Sequence, residues 1–417
     1  MKIISSAALL ILLMSLFDVN AQTQDTTKTD SIRKDAINLF IDCNYCDISY
    51  IKKHIKFVNY VRDTKEAHVH LMVTANQTGS GGIEYGLFFI GQNTYKGIND
   101  TLKLTMTPNS TSDEVRTAMT KTIKIGLIRY VSKTPLINYI NIDYEHPESE
   151  NAPIKDKWNS WVFSLSSSGN YNSQSSSSSF YLSSSVSASR TTEASKVSFS
   201  AGNNFNEQRF KMDNEEIIGI NRSNYFSHLY AKSISQHWSI GEYANASTST
   251  YSNLNYAFSI KPAIEYNIFP YSQYNRRKLC FNYSIGVNHH NYIDTTIYFK
   301  TKETYGSQNL SVYYQTIQKW GNIYISLDGS TFLNDFKKNS INIYSSIEWR
   351  IFKGFSINYS MSYGFVRDQI GLPKGEASRD DVLLSLKQLQ TDYTMYAYFG
   401  LSYTFGSIYN NVVNPRF

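Results

Sequence analysis

Long apolar runs are missing from this 417-residue chain: beyond the first 21 residues no stretch approaches the 18 or so consecutive apolar residues a spanning helix needs. A helical membrane bundle is therefore excluded. Proline is scarce, at 8 residues. A strong charge of one sign is absent too, because the formal net charge is only +6 and is dispersed, which argues against a nucleic-acid partner. What is present is aromatic and hydroxylic. Tyrosine and phenylalanine number 33 and 23, set among abundant Ser, Asn and Thr, with a mean hydropathy of -0.37. Aromatic and β-branched residues at this density speak against disorder and for pleated, half-wet surfaces.

Lys2, the apolar run Ala7 to Phe17 and the small residues Val19 and Ala21 read as a secretory signal peptide over 1–21, cleaved before Gln22. No cysteine stands at that junction, which argues against a lipid anchor. A polar leader follows over 22–36.

From Ile37 to Pro135 the pattern is that of an α/β domain placed in the periplasm. Strands are expected at Ile37–Asp42 and Ala67–Asn76, a helix at Asp47–Lys56, and a hairpin around Gly79–Gly82. Thr111 and Glu114 have capping-box spacing and predict a helix through about Tyr130. The polar stretch 136–157, which contains Pro147 and Pro153, reads as a linker.

From 158 to 407 the period becomes two. Phe355, Ile357, Tyr359, Met361, Tyr363 and Phe365 alternate with Ser356, Asn358, Ser360, Ser362 and Gly364. The same alternation recurs in twelve segments: 158–172, 178–190, 195–212, 223–235, 237–250, 253–268, 276–291, 304–319, 321–334, 338–351, 354–367 and 391–407. Each is long enough to cross a bilayer at a tilt, so an all-β transmembrane antiparallel barrel of about 12 strands is expected after the α+β domain. If the domain is periplasmic, the three longest connections, near Asp213–Arg222, Tyr292–Glu303 and Asp368–Gln390, are external. Phe269–Asn275 is long for a periplasmic turn. Trp158, Trp161, Trp238, Trp320 and Trp349 all map to periplasmic strand ends, the interface level that indole favours. A C-terminal periplasmic tail occupies 408–417.

By parity Lys261, Glu265, Lys278, Asp328, Glu348 and Arg350 point into the lumen, either as a compensating network or as the polar lining of a channel. Within the last external connection, Val382, Leu383, Leu386 and Leu389 have helical spacing behind a candidate cap, Ser378. That stripe is expected to pack on other loops, plug the mouth or dock a partner. Cys43 and Cys46 are read as a local disulfide, with redox and metal roles as alternatives, and Cys280 as a free small residue. His68 and His70 share a strand face without a third ligand, and read as an exposed polar face rather than a metal site. His289 and His290 leave an esterase or phospholipase as a remote reading.

The ending Phe399-Gly400-Leu401-Ser402-Tyr403-Thr404-Phe405, continuing to Asn414-Pro415-Arg416-Phe417, resembles that of an outer-membrane β-barrel family of Bacteroidota. Asp156-Lys157-Trp158-Asn159-Ser160-Trp161 and Asp42-Cys43-Asn44-Tyr45-Cys46-Asp47 are similar to it as well. The resemblance implies insertion by the barrel-assembly machinery, although Phe417 lies about ten residues past the last strand rather than ending it. It also implies O-glycosylation at Asp-(Ser/Thr)-apolar tripeptides, foremost Thr26 and Ser31 in the leader.

The expected protein is an outer-membrane barrel in contact with lipid, its N-terminal domain in the periplasm. A structural, accessory or adaptor role toward an envelope partner is expected. A porin-like channel for small solutes is the alternative and the esterase a distant third. No catalytic set, metal or cofactor is expected.

Overall fold

The computed structural model describes residues 33–79, 81–142, 156–212, 215–375, 378, 380–381, 384, 386–407, 409, 411 and 413. The segment 1–21 read as a signal peptide, most of the leader with Thr26 and Ser31, much of the linker, and Val382 and Leu383 lie outside these residues.

The N-terminal unit is a mixed sheet in the order β2-β1-β3-β4-β5, with β1 at Asn38–Asp42, β2 at Asn59–Tyr60, β3 at Val69–Gln77, β4 at Ile83–Gly91 and β5 at Asn99–Met106. Two helices, α1 (Ile48–His54) and α2 (Ser112–Val131), cover one face. Local chemistry sets their starts. Asp47 accepts from the Tyr50 amide, and Thr111 and Glu114 exchange side-chain and backbone bonds in the expected capping box. Alternation along each strand then divides the sheet's two faces. Leu39, Leu71, Val73, Leu87 and Phe89 meet Ile51, Met119, Ile123, Leu127 and Tyr130 in one core. Leu136 and Ile140 pack on that core from a 3-10 turn at Pro135–Tyr139, so the unit runs about five residues further than the sequence pattern indicated.

The rest of the chain is one antiparallel meander of twelve strands: β6 (Trp161–Ser173), β7 (Ser177–Thr191), β8 (Ser195–Met212), β9 (Glu215–Ser233), β10 (Trp238–Ser249), β11 (Leu254–Asn267), β12 (Arg277–Tyr292), β13 (Lys302–Gln318), β14 (Gly321–Phe332), β15 (Asn339–Phe352), β16 (Phe355–Val366) and β17 (Tyr393–Tyr403). Each strand pairs with its neighbours in sequence, and no pairing joins β6 to β17. The twelve strands are those the alternation predicts.

One expected connection is corrected. Asp213–Arg222 is not a long loop, because Glu215 to Arg222 continues β9 against Phe205 to Met212, with Phe205 opposite Arg222 and Lys211 opposite Glu216. Arg209 lies 2.5 Å from Glu207 and 3.8 Å from Glu216 across this extension, so its charges pair within and across the strands.

The burial of the large sheet is inverted relative to a protein in water. On β12, Phe281, Tyr283, Ile285 and Val287 are 37–51% exposed, while Cys280, Ser284 and Asn288 on the other face are at most 7% exposed. On β11, Phe258 and Ile260 are 52% and 58% exposed. Apolar side chains thus line the outside and small polar ones the concave side.

Candidate interface between the two sheets

The strand alternation that sends Leu39 and Leu71 into the core sends Phe40, Asp42, His70 and Met72 to the opposite face of the small sheet. That face is not solvated. Met72, Phe88 and Ile90 cluster with Ile317 of β13, and Arg276 lies over the Phe88 ring at 5.3 Å.

At its centre Asp42, the last residue of β1, receives both Arg350 guanidinium nitrogens, Nη1 to Oδ2 at 2.5 Å and Nη2 to Oδ1 at 2.7 Å. Such a fork-to-fork pair fixes direction as well as charge. His70 Nε2 stands 3.3 Å from Asp42 Oδ2, and Glu348 stands 3.4 Å from Arg350 while accepting from Asn322. Beside this chain lies a polar cavity of about 270 Å³, lined by Asn76, Gln315 and Asn322 among others. The disulfide Cys43–Cys46 closes the turn directly after Asp42, anchoring the carboxylate's backbone as β1 gives way to α1.

His70 corrects the sequence reading. Its side chain is fully buried, not part of an exposed polar face, because the rim of the large sheet covers the surface that alternation alone would leave wet. His68 is separate: it accepts from the Asn38 amide.

Burial pushes the Asp42 carboxyl up, but the His70 and Arg350 hydrogen bonds and their charges prevail and hold it at about 2, against an ordinary 3.8. That depression corresponds to about 2 kcal/mol of stabilisation. Burial acts on His70 in the opposite sense to ionisation and lowers it below 6.5, against the raising effect of Asp42 and together with the charges of Arg350 and Lys319. Its Nδ1 has no hydrogen-bond partner, so a second proton finds no acceptor there.

The sign of the pH dependence follows. A His held below its unfolded value contributes fully above 6.5 and loses that contribution as pH falls through it; Asp42 loses its own only below 3.8, toward 2. Thermal unfolding of the N-terminal unit should therefore shift down as pH falls through 6.5, through His70 and through the less buried His68, which burial lowers in the same sense. The variant His70→Asn should reduce that slope and leave the share of His68, and an unchanged slope would refute the assignment.

Further contacts extend the interface along the strand ends. Asp63 accepts from the Gly354 amide at 2.6 Å, Glu66 meets Lys353, and Arg62 donates to the carbonyls of Phe405 and Gly406. Tyr409 forms a bridge with Val61, and Asn411 accepts from the Tyr60 amide. The tail beyond the last strand is thus held by the small unit. The long Phe269–Asn275 turn is explained in the same way, since its Tyr274 donates to Glu84. On the other side, a Cβ placed on Gly79 would lie 2.4 Å from Cβ of Thr191, at the end of β7, and one on Gly81 3.9 Å from Val162 of β6. One small unit therefore touches both edges of the large sheet. Laid flat, twelve strands would hold those edges about 50 Å apart, so the sheet must curl.

The remaining expected site residues disperse along the concave side. Lys261 donates to Asn309, Glu265 accepts from Asn267 and Tyr271, Lys278 lies 5.8 Å over the Tyr313 ring, and Asp328 accepts from Tyr313. These charges are satisfied by amides and phenols rather than by each other, and only Glu348 and Arg350 form a pair. Cys280 is free and buried. The five tryptophans all stand at the end of the large sheet where the small unit sits. His289 bonds Thr304 and His290 contacts Tyr305; as successive residues of β12 they point to opposite faces. Among the described residues no group of three His, Cys, Asp or Glu side chains could hold a metal.

The far end is covered by the connection between β16 and β17. Ile370 packs with Tyr305 and Phe332, Asn253 donates to the Gly371 carbonyl, and the Ile297 amide donates to Leu372. Leu384, 3% exposed, and Leu386 lie about 3 Å from the position a Cβ on Gly219 of β9 would take. Ser378 accepts from the Asp381 amide where Asp380 and Asp381 are helical, and no described residue from Leu384 to Gln390 is helical, so the helix ends short of the one expected over Ser378–Gln390. The anchoring leucine is Leu384, which the sequence pattern missed, while Leu389 is 48% exposed.

The fold and interface define a class: a curled twelve-strand meander carrying a small α/β unit on its strand ends. Comparison with family models, curated proteins and solved structures finds no match for the chain.

Proposed function

We propose that the protein is an outer-membrane β-barrel, closed by pairing of β6 with β17, that anchors its N-terminal domain at the periplasmic face in a structural or adaptor role. The observation that carries the membrane assignment is the inverted burial, apolar outside and polar inside. Lipid is the medium in which that arrangement is favourable. The tryptophans at one level, and a small unit that touches both sheet edges, support the same reading.

Closure is tested by pairing Ser164→Cys on β6 with cysteine at Tyr396, Tyr398, Gly400 or Ser402 on β17 in the membrane-embedded protein. One register should cross-link and the others not; no cross-link in any pair would leave the sheet open.

The anchoring role rests on coverage of both ends. The β16–β17 connection lies over the concave side at one end, and the docked unit spans the other. The intact protein should be electrically silent in planar bilayers, and deletion of 371–390 should raise conductance. A stable open conductance of the intact chain would instead favour the porin-like alternative.

A further inference from the structure

Helix α2 carries a second apolar stripe that the domain does not use. Met119, Ile123, Leu127 and Tyr130 face the core, whereas Ile125, 58% exposed, and Ile128 lie on the opposite side of the helix. With Phe57 after α1, and Leu136 and Ile142 from the segment after α2, they line a groove of about 1000 Å³. Tyr139 and Ile142 are 85% and 74% exposed at its edge.

The groove's walls are uniformly basic. Lys53 and Lys56 stand on one side and Lys121 and Lys124 on the other, and no lining residue is acidic. None of the four lysines has a carboxylate partner among the described residues. An apolar floor between like charges that no described residue covers calls for an occupant that brings both apolar side chains and carboxylates.

Position decides which kind. The small sheet faces the large one through Asp42, His70, Met72 and Phe88, and the helices lie on its other side. The groove opens on the outer side of that helical layer, away from the strand ends. It therefore points away from the membrane that the twelve strands would occupy, which disfavours the protein's own bilayer as the occupant.

We propose that this groove docks an acidic amphipathic peptide segment of a partner protein, with the apolar face on Ile125 and Ile128 and carboxylates against the four lysines. The proposal rests on the adaptor reading for its biological setting. Its test is separate, since a conducting barrel that still bound such a peptide would remove the anchor role and leave the docking site standing.

The test uses the full chain in nanodiscs and a fluorescent helical peptide of about sixteen residues, Leu at i, i+3, i+4 and i+7 and Glu elsewhere, read by anisotropy. A second peptide has Lys in place of Glu. The acidic peptide should bind, weaken with salt, and lose about tenfold or more in affinity on Lys121→Glu with Lys124→Glu or on Ile125→Asp. All three positions are exposed, so the fold should survive. Equal binding of both peptides, indifference to these substitutions, or binding to empty nanodiscs alone would overturn the proposal. So would binding only after neutralisation of Asp143, Glu145, Glu148 and Glu150, which would make the chain's own acidic stretch the occupant.

Discussion

Replacing Arg350 with Met should loosen the docking of the N-terminal unit at a cost of up to about 3–5 kcal/mol, because it leaves the largely buried Asp42 carboxylate without its partner. Asp42 is only 20% exposed, and both of its oxygens are engaged by the guanidinium. Lysine would restore a charge but not the fork, so Arg350→Lys should recover part of the loss. Adding Asp42→Asn to Arg350→Met should also return part of it, since the orphaned charge disappears with the mutation. The measurement is protease susceptibility of the N-terminal unit in the full-length protein, with thermal unfolding of that unit alongside. Equal resistance of wild type and Arg350→Met would show that the remaining contacts, from the apolar cluster around Ile317 to Asp63–Gly354 and Glu66–Lys353, hold the interface without it, and the ion pair would lose the role assigned to it.

The second large effect lies in the core of the same unit. Phe89 is fully buried, and its ring occupies the space that the missing side chain of Gly126 leaves on α2: a Cβ there would sit 2.1 Å from the ring. Phe89→Ala should cost about 3–5 kcal/mol through the cavity it opens. Gly126→Ala should cost about 1–3 kcal/mol despite alanine's better helix propensity, because the ring has to move and its neighbours are packed. Combining Gly126→Ala with Phe89→Leu should cost less than the sum of the two single changes, since the smaller side chain vacates the contested volume. Thermal unfolding of the four proteins decides it. Strict additivity would mean that helix and ring do not compete for the space.

Gly126 also marks where sequence reasoning stops. A glycine inside a helix is a local cost with no visible return, and the partner that explains it stands 37 positions earlier on another strand. The same holds for the interface: Asp42 and Arg350 are 308 residues apart, and period-two reading could assign Arg350 only a side of its strand. What local pattern carries well is whatever repeats locally. The twelve strands, the Thr111 cap and the Cys43–Cys46 bridge were legible because alternation, capping spacing and a three-residue separation are short-range signals. The connection expected over Asp213–Arg222 was misplaced for a related reason, since what extends β9 there is its pairing with Phe205 to Met212 of β8, and Arg209 pairs with Glu207 and Glu216 across it. His70 was misjudged because its burial comes from a surface contributed by residues more than 200 positions away.

The bridge between Val61 and Tyr409, and the bonds from Arg62 to Phe405 and Gly406, tie the first folded unit to the last residues of the chain. Contacts of that sequence separation are the slowest to form, since everything between must be threaded and aligned first. The N-terminal unit, which can collapse early on its own core, then waits with part of one face uncovered until β17 is delivered. A chain stalled before β17 would therefore lack the partners that Val61 and Arg62 find in the completed molecule.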